Sequence, residues 1–221
     1  MVKLAQLEKL VKTGENQHLE FKKKADHPEK IVREMVAFAN SGGGTLLIGV
    51  EDSGRISGIA FPDEEQFAME AALSFHARPS IEYKLELIPV GSGKWVLMYH
   101  IPDGKEKPYF WLEKANSLHG LVFIRSGDQC LKASFEMYRI LKSNGVYAAL
   151  SMGELERSLF ALLGSKEKIS IKDFALHTGR GKKKISTLFI ALVLQGVLEI
   201  IPGAGSDMFR LNHAFLPAKM D

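Results

Sequence analysis

The sequence predicts an α/β (α+β) fold in two parts, a domain of alternating strands and helices over residues 1–145 and a small helix-rich domain over residues 150–221. Three observations predict it. Period-two and continuous apolar patterns alternate with amphipathic helical ones through the first two thirds of the chain. The patterning breaks around Asn144 to Gly153. Three helical segments then precede two short strand-like runs separated by a Gly-containing turn.

Leu4, Leu7, Leu10 and Val11 fall at helical spacing, giving a first helix that runs to Thr13 and ends at Gly14. HLEFKK then alternates Leu19 and Phe21 with Glu20 and Lys22, which reads as a half-buried strand with Glu20 and Lys22 on its wetter face. Pro28 opens a helix with an apolar stripe of Ile31, Met35, Phe38 and Ala39. Ser41-Gly42-Gly43-Gly44 ends that helix, TLLIGVED reads as a buried strand, and DSGRISG is a turn. A helix over roughly Glu64 to His76 follows, then the strands YKLELIPV and KWVLMYHI around the turn GSG. GLVFIRSG is a further strand, and a helix over roughly Ser134 to Leu141 closes the first part. In the second part LERSLFALL is helical, ISIKDFALHTG is a short strand and helix, KKKISTLFIALVLQG is a basic helix, and VLEIIPGAGSDMFRL is a hairpin.

With 221 residues, 46% hydrophobic and 25% charged, the chain has the composition of an ordinary globular protein. No apolar run approaches the roughly 18 to 20 residues that span a bilayer, so a cytoplasmic protein without a membrane partner is expected. A single cysteine, Cys130, excludes an intramolecular disulfide framework and a cysteine-rich zinc module; it reads as a small buried apolar residue. Net charge is +3, and from Ser151 onward ten Lys and Arg face seven Asp and Glu, so the whole surplus sits there. That distribution suits nucleic-acid contact through the C-terminal part.

Three helices followed by a hairpin resemble the winged helix-turn-helix of transcription regulators. Ile171, Phe174 and Ala175 would pack the second helix, Thr178 to Gly181 would form the turn, and Ile185, Leu188, Phe189 and Leu192 would bury the third. Lys182, Lys183 and Lys184 then fall where recognition helices enter the major groove, and Arg180 and Arg210 would add backbone contacts from turn and wing. The same scaffold also serves protein docking. Gly42 to Gly44 do not form a phosphate loop, which runs from strand through glycines to helix; here a helix enters and a strand leaves. There is no GxxxxGK[ST], so no ATP is expected.

The stretches LEFK (Leu19 to Lys22), AFANSGGGTLLIGVEDSGRISGI (Ala37 to Ile59), KPYF (Lys107 to Phe110) and VFIRSGD (Val122 to Asp128) resemble the AlbA-like DNA-binding domain, also called Schlafen AlbA_2. The likeness covers most of residues 12 to 140. It implies an AlbA-like mixed-sheet domain followed by a small winged-helix domain, and two roles. Bacterial members that carry a C-terminal winged helix are described as transcription regulators that bind DNA, and binding needs no cofactor. Schlafen members include RNA endonucleases with three acids, which by resemblance are Glu15, Glu20 and Asp52, preceded here by Glu51. Those acids would hold Mg²⁺ or Mn²⁺, and Lys22 would steady the scissile phosphate. Lys22, Lys23, Lys24 and Arg125 would guide a DNA or RNA backbone. Because the chain has one copy of the domain, an enclosing groove implies a homodimer.

Strand acids and lysines are ordinarily solvated, and Asp52-Ser53-Gly54 is a good turn by itself. A nucleic-acid-binding regulator, a metal-dependent nuclease and a protein-docking module therefore all remain open. His18, His27, His76, His100, His119, His177 and His213 form no spaced metal motif. Tyr109, Phe110 and Trp111 suit base stacking or, more ordinarily, a core.

Overall fold

The computed structural model describes residues 4–114, 117, 120–143, 153–212 and 214. Its contacts divide the chain into two units, one ending at Lys132 and one beginning at Ala133. The boundary expected at Gly145 to Gly153 lies, Gly153 apart, outside the described residues.

In the first unit, α1 (Leu4–Val11) buries Leu7 and Val11 and stops before Gly14, whose φ of 70° is a conformation that suits glycine. Next, β1 (Leu19–Lys22) runs parallel to β2 (Gly44–Ile48), with Leu19 opposite Thr45 and Lys22 opposite Ile48. Parallel strands need a crossover, and α2 (Pro28–Asn40) supplies it. After α3 (Pro62–His76) come β3 (Ala77–Arg78), β4 (Lys84–Gly91) and β5 (Lys94–Ile101). The main sheet has the order β1-β2-β5-β4, so the fold is mixed as expected. Beside it, β6 (Phe110–Trp111) pairs with β3, while β7 (Phe123–Ser126) and β8 (Gln129–Lys132) form a hairpin about Gly127-Asp128. The β8 arm was not anticipated; its only sequence signal is that Gly-Asp pair between strand-length runs.

Both faces of the sheet are covered. Leu46, Ile48, Leu97 and Tyr99 pack with Met35 and Phe38 of α2 and Met69 of α3, whereas Leu47, Val96 and Met98 pack with Leu7, Leu19 and Phe21. This explains why TLLI and WVLMY read as continuous apolar runs. It also overturns the reading of a wet face on β1, because Glu20 shares a face with Leu46, its neighbour in register.

The second unit begins with α4 (Phe135–Lys142), capped by Ser134 Oγ, which accepts from the Met137 N–H at 3.0 Å. Then come α5 (Glu154–Ser165), α6 (Ile171–Thr178), α7 (Lys182–Leu194) and the antiparallel pair β9 (Leu198–Ile201) and β10 (Met208–Leu211). The short strand expected in ISIKDF is reduced to one bridge, between Ile169 and Phe209. Phe189 of α7 stands 5.6 Å from Phe174 and 4.9 Å from Phe209, joining both helices to the hairpin in one core. Among the described residues no helix is long and apolar enough to cross a membrane.

The glycine turn after α2 leaves no room for a side chain at Gly43. The Gly43 N–H donates to Phe38 O at 2.8 Å, φ is 80°, and a Cβ there would meet Ile101 O at 2.6 Å. Gly43→Ala is expected to lower stability by about 2 kcal/mol or more, from left-handed strain plus the collision. Gly91→Ala, at φ 91° but with open space, is expected to cost about 1 kcal/mol. Urea denaturation of both variants checks the difference.

Candidate nucleic-acid interface

The acidic and basic residues singled out around β1 do not form an open electrostatic edge. Arg125, on β7, has no exposed side-chain surface. Its Nη1 donates to Glu20 Oε2 and to Glu34 Oε2, each at 2.8 Å, and its Nη2 donates to Asn16 O at 3.0 Å. The guanidinium also lies 4.9 Å from the Phe38 ring centroid. Arg125 is therefore a buried structural cation. The expectation that it guides a phosphate backbone is corrected, since a guanidinium with three protein acceptors and no exposure does not reach a polymer.

Glu20 is buried, and its other oxygen is held by Lys22 Nζ, which also donates to Phe21 O at 2.9 Å. Two cations thus occupy the two oxygens of Glu20. Glu15 accepts the Phe21 N–H at 2.9 Å. Its carboxyl is raised above the ordinary 4.5, chiefly by desolvation; the Phe21 N–H opposes this, and the charges of Glu20 and Asp52 add to it. Glu15 therefore senses both other acids. Asp52 is exposed in its turn, on an open groove shared with Glu8, Lys12 and Gly14. Among the described residues, however, no three His, Cys, Asp or Glu side chains form a group that could hold a metal ion. The donor set expected for Mg²⁺ or Mn²⁺ does not fit as it stands, because Arg125 and Lys22 take the oxygens that Glu20 would offer.

Lys23 is exposed but pairs with Glu51 at 3.1 Å. Glu51 also takes Arg55, and these two partners hold its carboxyl down to about 2. Lys24 is exposed. In the second unit Arg180, Lys182, Lys183 and Lys184 are all exposed, the last three forming the first turn of α7. The N-cap of α7 is Gly181, which offers no side chain to the first N–H groups. The α6–α7 turn is made by Gly179 at φ 65°, and Ile185, Phe189 and Leu192 bury the opposite face of α7. Arg210 is half-buried in a 2.8 Å ion pair with Glu199 across the hairpin.

Sequence reasoning missed two residues. Glu34, on α2, was not singled out, and it is buried against Arg125. Asn40 is buried too; its Nδ2 donates to Tyr109 O and Phe123 O, and its Oδ1 accepts from the Tyr109 N–H. The asparagine of the ANSGGG stretch is thus a pin between α2 and the segments at β6 and β7. Tyr109 is buried and Trp111 Nε1 donates to Glu29 O at 2.8 Å, so these aromatics serve the core. Burial, followed by the charge of Glu34, pushes the Cys130 thiol up to about 12, far from a nucleophile.

A mixed sheet entered through a helix, a Ser-Gly-Gly-Gly turn and an apolar strand, with an acidic turn after it, defines the class. The Schlafen, AlbA_2 family model matches residues 15–134, more than half of the 221-residue chain, and the protein belongs to that family. Two solved structures are similar. One is the N-terminal domain of a protein from Nitrosomonas europaea named as related to the ATP-dependent DNA helicase RecG, 27% identical, covering 54% of this chain and 86% of that one, at a TM-score of 0.44. The other is the DIP2311 protein from Corynebacterium diphtheriae, 18% identical, covering 89% of this chain and 34% of that one, at a TM-score of 0.41. The chain thus spans about a third of DIP2311.

Removing Arg125 leaves two buried carboxylates without their shared cation. Arg125→Ala is expected to lower stability by about 3–5 kcal/mol in chemical denaturation. Glu34 sets a pH dependence as well. Desolvation first, then the charge of Glu20, raises its carboxyl above 4.5, while Arg125, Lys22 and Arg33 oppose them. The folded chain therefore keeps a proton that the unfolded chain has released, and stability falls as pH rises from 4.5 through the raised value. Glu15 contributes a slope of the same sign. Melting temperatures across that range should fall less steeply with pH in Glu34→Gln than in the native protein.

Proposed function

We propose that the protein is a nucleic-acid-binding transcription regulator, in which the second unit is a winged helix that contacts DNA and the AlbA_2 unit adds further contacts. The observation that carries this reading is the first turn of α7: three exposed lysines beside helix N–H groups that no side chain caps. Lysines at a helix N-terminus run against the helix dipole, so an anion placed there relieves an intrinsic mismatch. The buried face of α7 anchors that turn on Phe174 and Phe209, and membership of the AlbA_2 family supports the same partner class. Arg180 extends the positive edge, and Arg210 joins it by exchanging Glu199 for phosphate, since a solvent-accessible ion pair is weakly held. Lys24 and Lys23 are the matching contacts of the AlbA_2 unit. The protein acts as a homodimer in the cytoplasm and needs neither ATP nor a metal to bind.

Fluorescence anisotropy on labelled duplex DNA at several salt concentrations tests this. Replacing Lys182, Lys183 and Lys184 with Ala should weaken binding and flatten the slope of log K against log salt by roughly 0.9 for each lysine that holds a phosphate. Unchanged affinity and slope would sink the reading. Cutting of RNA or DNA that requires Mn²⁺ and is abolished by Glu20→Ala would replace it with a nuclease.

A further inference from the structure

We infer that the outer face of α3 is the surface through which two copies of this chain associate, as an antiparallel helix pair centred on Ala71. α3 buries Met69, Ala72 and Leu73 toward the sheet. Its other side is unusually apolar. Phe67 is 74% exposed and Phe75 54% exposed, while Phe61, at the N-cap, is 68% exposed. Phe67, Ala71 and Phe75 stand at i, i+4 and i+8, which places them on one helical face. At about 150–250 Å² for each aromatic side chain, the three phenylalanines present on the order of 400 Å² of apolar surface. Two copies would remove about twice that from water, most of the roughly 1,000 Å² that a specific interface needs before its rim is counted.

The charges on this face select the occupant and the orientation. Asp63 and Glu64 are exposed in the first turn. At the other end Arg78 is exposed, and its Nη1 donates to Ser74 O at 2.7 Å and Ala77 O at 2.6 Å, which holds the cation over the last turn of α3. A surface acidic at one end and basic at the other, with the Phe67–Ala71–Phe75 stripe between them and Glu70 and Ser74 exposed at its side, complements itself when turned end over end. An antiparallel two-fold axis through Ala71 sets Phe67 against Phe75 of the second copy, and Glu64 against Arg78 of the second copy, twice over. A parallel pair would instead oppose Glu64 to Glu64 and Arg78 to Arg78. The small side chain at the axis lets the two helices approach closely.

This surface gives the homodimer of the proposed function a location, but it does not depend on nucleic acid. Sedimentation equilibrium of the full chain without nucleic acid tests it, so its failure is separate from any failure of DNA binding. The native chain is expected to be dimeric and Phe67→Glu monomeric; because Phe67 is exposed, the circular dichroism spectrum should be unchanged and unfolding should stay cooperative, with a melting temperature that no longer depends on protein concentration. Glu64→Arg or Arg78→Glu alone should raise the dimer dissociation constant about tenfold or more, and the double charge reversal should restore it. Ala71→Cys should form a disulfide dimer on oxidation. A monomeric native chain, a dimer that survives Phe67→Glu, or a charge reversal that the second reversal does not rescue would overturn the inference.

Discussion

The AlbA_2 unit depends on one buried cation. A guanidinium taken fully out of water is tolerated only when charge and hydrogen bonds replace its hydration, and Arg125 finds these in Glu20, Glu34 and the Asn16 carbonyl. Those partners come from β1, α2 and the loop before β1, so one side chain sets the position of three separate pieces of chain against β7. Lys22 supplies the second positive charge, and the cluster balances two acids with two bases. Phe38 lies under the guanidinium and in the core cluster at the same time, which links the charge cluster to the packing of α2 on the sheet.

That arrangement sets the charge of the two units apart. In the first, positive charges near β1 are largely spent on internal acids: Lys22 on Glu20, Lys23 and Arg55 on Glu51, Arg125 on Glu20 and Glu34. The first turn of α7 is different, since its lysines project into solvent from a helix whose other face is locked into an aromatic core. A rigid element that carries exposed charge holds a phosphate at less entropic cost than lysines on a flexible chain. The modest net charge of +3 therefore understates the field at this one turn.

Aromatic residues show how far placement decides role. Phe21, Phe38, Phe174 and Phe189 are fully buried, and each fell on an apolar stripe or strand alternation that could be read in the sequence, while Phe209 of the hairpin is fully buried as well. Phe67 and Phe75 belong to a helix that was equally legible, yet they lie outside its core-facing side. α3 has apolar residues on both sides, so its pattern does not distinguish the face that meets the sheet from the one that meets water.

The mixed sheet came with the family resemblance, while the order and kind of most elements, the glycine turn that ends α2 and the helix-rich character of the second unit were legible in the sequence by itself. These are local properties: periodicity, caps, and the fact that glycine alone takes the positive φ values of Gly42 and Gly43 at little cost. Tertiary structure decided what each face meets. Alternation in HLEFKK separates two faces of β1 without telling what covers either, and Arg125, which covers one of them, lies 105 residues from Glu20. The same reason explains Glu34, which is buried because Arg125 of β7 packs against it, and Asp52, whose proximity to Glu15 arises only when the chain turns back after β2. Burial and charge partnership are long-range facts, and no pattern of neighbours along the chain encodes them.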